Sequence, residues 1–317
     1  MKKKEVAVVV VVIIVALIIL LTMIKIKNKK EFYEPIYNTD YITNINNIEI
    51  KNESVKNKYQ FVYISDLHAS IIDDNEKADQ LRNALVERNN MFTQQHPNKM
   101  QADKTFEEII NYTNNKNADA LLLGGDIIDS PSNSNFDFLR NNLTKLNKEY
   151  LYTLGNHDWS FAWDYHTKET QEKYYPKFDE FMDDLQVSCL EYKDLIILAI
   201  NDSKDKIEEE AINKIKQVLD KNKPTIVMLH VPLATEYIAE EAVRIRNRVS
   251  AIGKDGIKPT ESTQKAIDLI MSEEYKVFYI ISGHVHFGIE DNMNERIIQD
   301  VSAPAYGGNI NLIKINN

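Results

Sequence analysis

The chain has a single cysteine, Cys189, among 317 residues. One cysteine makes no internal disulfide, and Cys189 lies far in sequence from every histidine-bearing block. It therefore reads as a small apolar side chain rather than a ligand. An N-terminal lipoprotein anchor is excluded as well, because it needs a cysteine directly after an apolar stretch, and none stands there. Internal repeats and low-complexity tracts are missing, apart from a bias toward Asn and Lys. A basic surplus is missing too. The net charge is −10, and residues 1–30 carry seven lysines against one glutamate, which leaves −16 on the remainder. So acidic a body repels polyanions and argues against long nucleic acid as a partner. A small phosphate ligand stays open, because divalent cations reverse the local sign. With 43% apolar residues the chain can bury the core of one large domain or two small ones.

What is present begins with residues 6–24, an almost unbroken run of Val, Ile, Leu and Ala flanked by Lys2, Lys3 and Lys4 before and Lys25, Lys27, Lys29 and Lys30 after. A bilayer core is crossed by roughly 17–25 helical residues. The run ends without the small-residue pair of a signal-peptide cleavage site, so it reads as one uncleaved transmembrane anchor. Residues 1–5 form its basic flank. Residues 25–57 read as a juxtamembrane linker, with a short strand over 45–50. The lysines nearly balance across the span, so they do not set its orientation. A basic start followed at once by an apolar run resembles an export signal, and this places the body outside the cytoplasm.

From Tyr59 onward short apolar runs alternate with helical patterns. Strands are expected over 61–65, 120–123, 150–153, 195–200, 225–229 and 277–281. Nearly continuous apolar strands of this kind are covered on both faces. Helices are expected over 77–92, 104–114, 136–147, 168–185, 208–219 and 263–271, and late strands over 295–301 and 309–315 point to a second sheet. The order implies a layered α/β domain over 58–317. Residues 69–117 are longer than that arrangement needs, and read either as a surface insertion or as a cap over a site. Arg82 and Arg88 lie six apart there, so they do not share one helix face.

Five blocks carry the chemistry: Asp66-Leu67-His68, Gly125-Asp126, Gly155-Asn156-His157-Asp158, His230, and Gly283-His284-Val285-His286. They hold five of the seven histidines, and each follows a strand candidate. In an extended segment residues i and i+2 share a side, which would deliver Asp66 with His68 and His284 with His286. In α/β sheets ligands collect beyond the carboxyl ends of strands. Carboxylates, imidazoles and an amide oxygen suit a pair of divalent transition metals such as Mn, Fe, Zn or Co, and the absence of cysteine donors argues against a sulfur-rich site. Such a pair points to hydrolysis of a phosphate ester. His96, beside Pro97 in a polar loop, reads as solvated. His166 sits among Trp159, Trp163 and Tyr165, aromatics that either pack or line a pocket. Asn201 and Asp202 end another strand within reach of the site.

The ordered set closely resembles the calcineurin-like metallophosphoesterase superfamily, over roughly residues 59–315. The resemblance implies a four-layer αββα sandwich with a dimetal centre at the sheet edges. It implies one metal on Asp66, His68 and His286, a second on Asn156, His230 and His284, and Asp126 bridging both. Hydroxide formed between the metals would attack phosphorus in line. His157 would donate a proton to the leaving group or stabilise its charge, with Asp158 either as its orienter or as a loop hydrogen-bond acceptor. Two branches are excluded by departures. The arginine of the protein Ser/Thr phosphatase GD-x-x-D-R-G run is missing, since Ser130 follows Asp129. The tyrosine that purple acid phosphatases place three after the bridging aspartate is Asp129 here. What remains looks like the bacterial branch of small phosphodiesterases and membrane-associated phosphohydrolases. The expected activity is hydrolysis of a phosphate mono- or diester, small or lipid-linked. A non-catalytic metal-binding scaffold and a nuclease acting on short oligonucleotides are the alternatives.

Overall fold

The chain alternates strands and helices as β1 (Asn44–Lys51), β2 (Tyr59–Ile64), α1 (Asp79–Gln95), α2 (Ala102–Asn115), β3 (Ala120–Leu123), α3 (Asn133–Leu143), β4 (Glu149–Tyr152), α4 (Lys168–Tyr174), β5 (Val187–Glu191), β6 (Ile196–Ile200), α5 (Glu209–Leu219), β7 (Thr225–Met228), α6 (Glu236–Arg246), α7 (Glu261–Met271), β8 (Val277–Ser282), β9 (Ile289–Asn292), β10 (Ile298–Val301) and β11 (Asn309–Asn316). The structure is a computed structural model and describes residues 39–74 and 77–316. The expected span at 6–24 and its lysine flanks lie outside the described residues. Among the described residues no helix is long and apolar enough to cross a membrane.

Two mixed sheets result, ordered β1-β11-β2-β3-β4 and β5-β6-β7-β8-β10-β9. Strands β2, β3 and β4 are parallel, as are β6, β7, β8 and β10. Side-chain alternation sorts each central strand between two cores. Phe61 and Tyr63 of β2 meet Ile197 and Ala199 of β6, Ile226 and Met228 of β7, and Tyr279 and Ile281 of β8, in a core between the sheets. Their neighbours Val62 and Ile64 face outward onto α2 and α3. Val227 and Ile280 face outward onto α5 and α7 on the other side. The continuous apolar runs arise from this burial on both faces.

The elements depart from expectation in few places. Residues 44–51, inside the segment read as a linker, form β1 along its whole length and pair in parallel with β11, so sheet structure begins well before residue 58. The helix expected over 168–185 stops at Tyr174 and continues as a 3₁₀ turn, Tyr175–Glu180. Pro176 is the reason, because it lacks the N–H that an α-helix would use. Helix α3 starts three residues earlier than expected, where Ser132 Oγ accepts the Asn135 N–H as an N-cap. Strands β5 and β9 and helix α6 were not foreseen. The first two flank their sheet as edges, and α6 buries only Ile238, Ala239 and Ala242, too narrow a stripe to stand out. Cys189 lies half-buried on edge strand β5.

One surface carboxylate ties the two sheets together. Asp194, in the β5–β6 turn, accepts the N–H groups of Lys56 and Asn57 at 2.6 and 3.0 Å and the Tyr59 hydroxyl at 2.5 Å. Burial alone would raise its pKa, but the hydrogen bonds from Asn57, Tyr59 and Lys56 prevail and hold it at about 2. A depressed carboxylate stabilises the fold above its unfolded pKa and loses that contribution as pH falls through the folded value. Asp194→Ala should cost roughly 1 kcal/mol at pH 7, discounted for solvent screening. The gap to wild type should narrow below pH 4 and close near pH 2 in denaturant melts. A gap independent of pH would contradict this reading.

Candidate functional site

The five blocks follow β2, β3, β4, β7 and β8, and the two parallel sets deliver them to one edge of the sandwich. The chain does not run on extended there. Asp66, His68, Asp126, His284 and His286 have φ values of 56°, 51°, 53°, 68° and 59°. Left-handed backbone is uncommon for residues other than glycine and is stored where surrounding contacts over-determine it. The i, i+2 delivery expected for an extended strand is therefore replaced by turned loops. These are fastened to one another: Asp66 N–H donates to Gly125 O at 3.0 Å, His68 N–H to Asp126 O at 2.8 Å, and His284 N–H to Asp66 Oδ2 at 2.9 Å. Gly155 is required by close approach, since a Cβ there would strike the Asp126 carboxylate and backbone.

Two donor groups share Asp126. Asp66, His68, Asp126 and His286 form one, and Asp126, His230 and His284 the other, with the donor atoms of each within 4.8 Å of one another. His286 Nε2 lies 3.2 Å from Asp66 Oδ1 and 3.1 Å from His68 Nε2. His230 Nε2 lies 3.3 Å from Asp126 Oδ2. The far nitrogens are anchored: His230 Nδ1 donates to Gly124 O at 2.9 Å, and His68 Nδ1 to Asp129 Oδ1 at 2.7 Å. Such anchoring orients each ring and leaves Nε2 as the donor toward a cation. Burial would raise the pKa of Asp126, but His230, His157 and His68 overcome it and hold the carboxyl well below its usual range. Burial would likewise lower His230, but Asp126 and Asp66 raise it to about 10. His284 is pushed down by burial and by His230.

Two atoms test whether a cation pair fits. Asn156 Oδ1 and His230 Nε2 are buried and make no hydrogen bond, although His230 Nε2 lies 3.3 Å from Asp126 Oδ2. Orphaned buried polar atoms are costly, and a cation would satisfy both. The donor set of carboxylate, imidazole and amide oxygen is that of a divalent transition metal. The residues present fit the group.

His157 borders the cluster without joining either Asp126-centred set. Its Nδ1 lies 3.2 Å from Asp129 Oδ1, and its backbone N–H donates to Asp126 Oδ1 at 2.7 Å. Burial would lower its pKa, but Asp126 and Asp129 raise it. The sequence offers Asp158 as an orienter of His157, and the geometry gives that place to Asp129. Asp158 turns away, accepting the N–H groups of Asp126, Ile127, Ile128 and Gly155 and the Tyr152 hydroxyl, at 2.7–3.1 Å. Asp129 is itself clamped by Arg88, whose Nε and Nη2 donate at 2.5 and 2.6 Å. Burial would raise Asp129, but Arg88, His157 and His68 hold its carboxyl far below its usual range.

Several residues here were not legible as site residues. Arg88 comes from α1 within the 69–117 segment, and Phe92 of the same helix stacks on His68 at 4.5 Å, so that segment packs directly against the site. Arg82 instead pairs with Asp79 on its own helix. Arg246 and Arg248, at the end of α6, line the cavity over the donors. Asp202, which the sequence places at a strand end within reach of the site, follows β6, accepts the His230 and Val231 N–H groups at 2.9 and 3.0 Å and fixes that loop. His96 is fully buried rather than solvated, with Nε2 3.0 Å from Tyr41 O. His166 stacks on Trp159 and Tyr165.

Two mixed sheets with paired cation-binding groups at their shared edge define a metal-dependent hydrolase of phosphoester bonds. The chain belongs to the calcineurin-like phosphoesterase family, whose model matches residues 59–288. Among solved structures it is similar to a dimetal phosphatase from Danio rerio, with TM-score 0.48 and 11% identity over 78% of this chain and 88% of that one. It is similar also to phosphopantetheinyl hydrolase from Mycobacterium tuberculosis, with TM-score 0.43 and 10% identity over 79% and 91%. A purple acid phosphatase from yellow lupin matches with TM-score 0.48 and 14% identity over 81% of this chain and 45% of that chain. No curated protein matches the sequence.

Proposed function

We propose that the chain hydrolyses a mono- or diester of phosphate, small or lipid-linked, at a centre of two divalent cations. Asp66, His68 and His286 would hold one, Asn156, His230 and His284 the other, and Asp126 both. The observation that carries this is the pair of buried, unpartnered donors, Asn156 Oδ1 and His230 Nε2, in the cluster centred on Asp126. When bound, such a pair acidifies water and clamps phosphoryl oxygens. The chain's own residues supply the rest. Asp129 holds His157 through Nδ1, which leaves Nε2 to deliver a proton to the departing oxygen. Arg246 and Arg248 bring positive charge to the mouth of a protein whose body is acidic, while the charge of Arg88 is met by Asp129. Asp158 positions the loops that carry Asp126 and His157 and is not assigned a step.

Residues 6–24 are proposed to tether the enzyme to the membrane by one span, with residues 58–317 as its catalytic domain outside the cytoplasm. Activity should then sediment with membranes and stay there through an alkaline wash; release by the wash would remove the tether from the proposal.

Metal-reconstituted protein should hydrolyse p-nitrophenyl phosphate or its bis-ester, and a chelator should abolish this reversibly. His157→Ala should lower kcat about 10-fold for the p-nitrophenyl ester, whose leaving group needs little protonation, and on the order of 10²–10³-fold for an alkyl ester. Equal losses on both would remove His157 as the acid. Activity indifferent to the chelator would overturn the metal mechanism.

A further inference from the structure

Two cavities meet at His157 and Arg88. One, of about 370 Å³, lies over the metal donors Asp126, Asn156, His284 and His286. The other, of about 570 Å³, leads away from the donors and contains none of them. Its walls come from α1, through Leu81, Ala84 and Leu85, and from the segment just after the GNHD block, through Phe161 and Trp163. A volume of this size is that of a small-molecule site rather than a packing defect. At its inner end Arg88 and Asp129 neutralise one another, so the space beyond offers little to a second phosphate. The Trp163 indole stacks on Phe161 at 4.8 Å yet remains 41% exposed. The stacked pair gives the cavity an aromatic wall.

From this geometry we infer that the larger cavity receives the leaving alcohol of the substrate, and that this alcohol carries an aliphatic or aryl body. The inference rests on the proposed role of His157: the group that protonates the departing oxygen marks the side on which the leaving group lies, and His157 stands at the entrance to this cavity. The occupant is thus continuous with the reaction site. Leu81, Ala84 and Leu85 are spaced along one face of α1, and with the Phe161–Trp163 pair they make an apolar slot. Ser70, Gln80, Asn83, Glu87 and Ser130 also line the cavity, so the apolar slot is one wall of it and faces a polar rim.

The test uses the full-length, metal-loaded enzyme and a series of monoalkyl phosphates and methyl alkyl phosphodiesters from ethyl to octyl, below micelle-forming concentrations. In the class of ester that is turned over, kcat/KM should rise about twofold per methylene where full burial would give about fourfold, hence roughly 16-fold from ethyl to hexyl. Ala84→Trp, which fills the slot, should reduce the hexyl-to-ethyl ratio to less than about threefold, and Trp163→Ala should lower it as well. Should either variant fail to fold, 1-hexanol should inhibit the wild type competitively at concentrations where ethanol does not. Phosphatidate in vesicles separates the sources: turnover there assigns a bilayer lipid, and turnover of the soluble esters alone assigns a free amphiphile. A flat series with ethyl ester turned over, or a gradient that both folded variants preserve, overturns this inference and leaves the phosphoesterase reading standing. Absence of turnover on every ester, including the p-nitrophenyl ones, overturns both.

Discussion

Asp126→Asn should lower kcat/KM by on the order of 10³-fold, which corresponds to about 4 kcal/mol of lost transition-state stabilisation. The substitution changes one atom and one charge, so its effect isolates what that charge does. Asp126 is the single residue common to both Asp126-centred donor groups. It lies 3.3 Å from His230 Nε2 and 3.6 Å from His68 Nε2 through Oδ2, while Oδ1 accepts the His157 N–H. An amide retains the shape and could still accept that N–H, but it removes the negative charge between two positions that each need one. Metal content should fall from two ions per chain to one or fewer, by elemental analysis of the purified variant. The fold should survive, because the amide oxygen can keep the His157 N–H bond, and Asp66 is relieved of a like charge. Unchanged thermal stability with activity lost is thus the expected pair of results. Wild-type activity with full metal content would sink the assignment of Asp126 as the bridge.

The extent to which this site is legible in sequence follows from what each contact depends on. The candidate metal donors are legible because their chemistry limits the residue types to a few, and because each block follows an apolar run short enough to be a strand. The two-sheet architecture is legible for the same reason: Val62 beside Phe61, or Val227 beside Ile226, can be apolar on both sides only in a strand covered on both faces. Arg88 is different. Its partner Asp129 is 41 residues away, and nothing local separates a clamped Asp129 from an ordinary loop aspartate. The substitution of Asp129 for the purple-phosphatase tyrosine was visible, but its use was not, since that depends on a helix from the 69–117 segment folding over the site. Likewise the left-handed φ values fall on Asp66, His68, Asp126, His284 and His286, residue types that enter that region more readily than most but too seldom for their presence to mark it in a sequence. Hydrogen bonds between loops from both sheets hold them there, and such contacts between distant segments leave no periodic trace in the chain. For Asp158 the sequence leaves open an orienter of His157 or a loop hydrogen-bond acceptor, and the contacts with four backbone N–H groups agree with the second.

Asp158→Ala should destabilise the protein by about 3 kcal/mol. Four backbone N–H groups and one tyrosine hydroxyl converge on this fully buried carboxylate. Alanine would leave all five donors without a partner in a space too small to admit bulk water, and each unsatisfied buried donor costs roughly 1–3 kcal/mol. The sum is not reached, for a physical reason. Burial and the nearby charge of Asp126 push the Asp158 carboxyl up to about 7, so removing it also removes the cost of confining a second negative charge beside the first. A net loss at the lower end of the range for breaking a buried polar cluster follows, equivalent to about 5 °C in Tm for a domain of this size. Tyr152→Phe removes one donor and its acceptor bond together, and should cost only about 1 kcal/mol. Because three of the five donors are Asp126, Ile127 and Ile128 N–H, the loop carrying the Asp126 carboxylate loosens with Asp158→Ala, and activity should fall alongside stability. The two effects are separable by temperature: cooling the variant well below its lowered Tm should recover part of the activity if Asp158 acts by holding loops, and none if it acts on the substrate. A variant that melts with the wild type yet has no activity would return Asp158 to the chemistry.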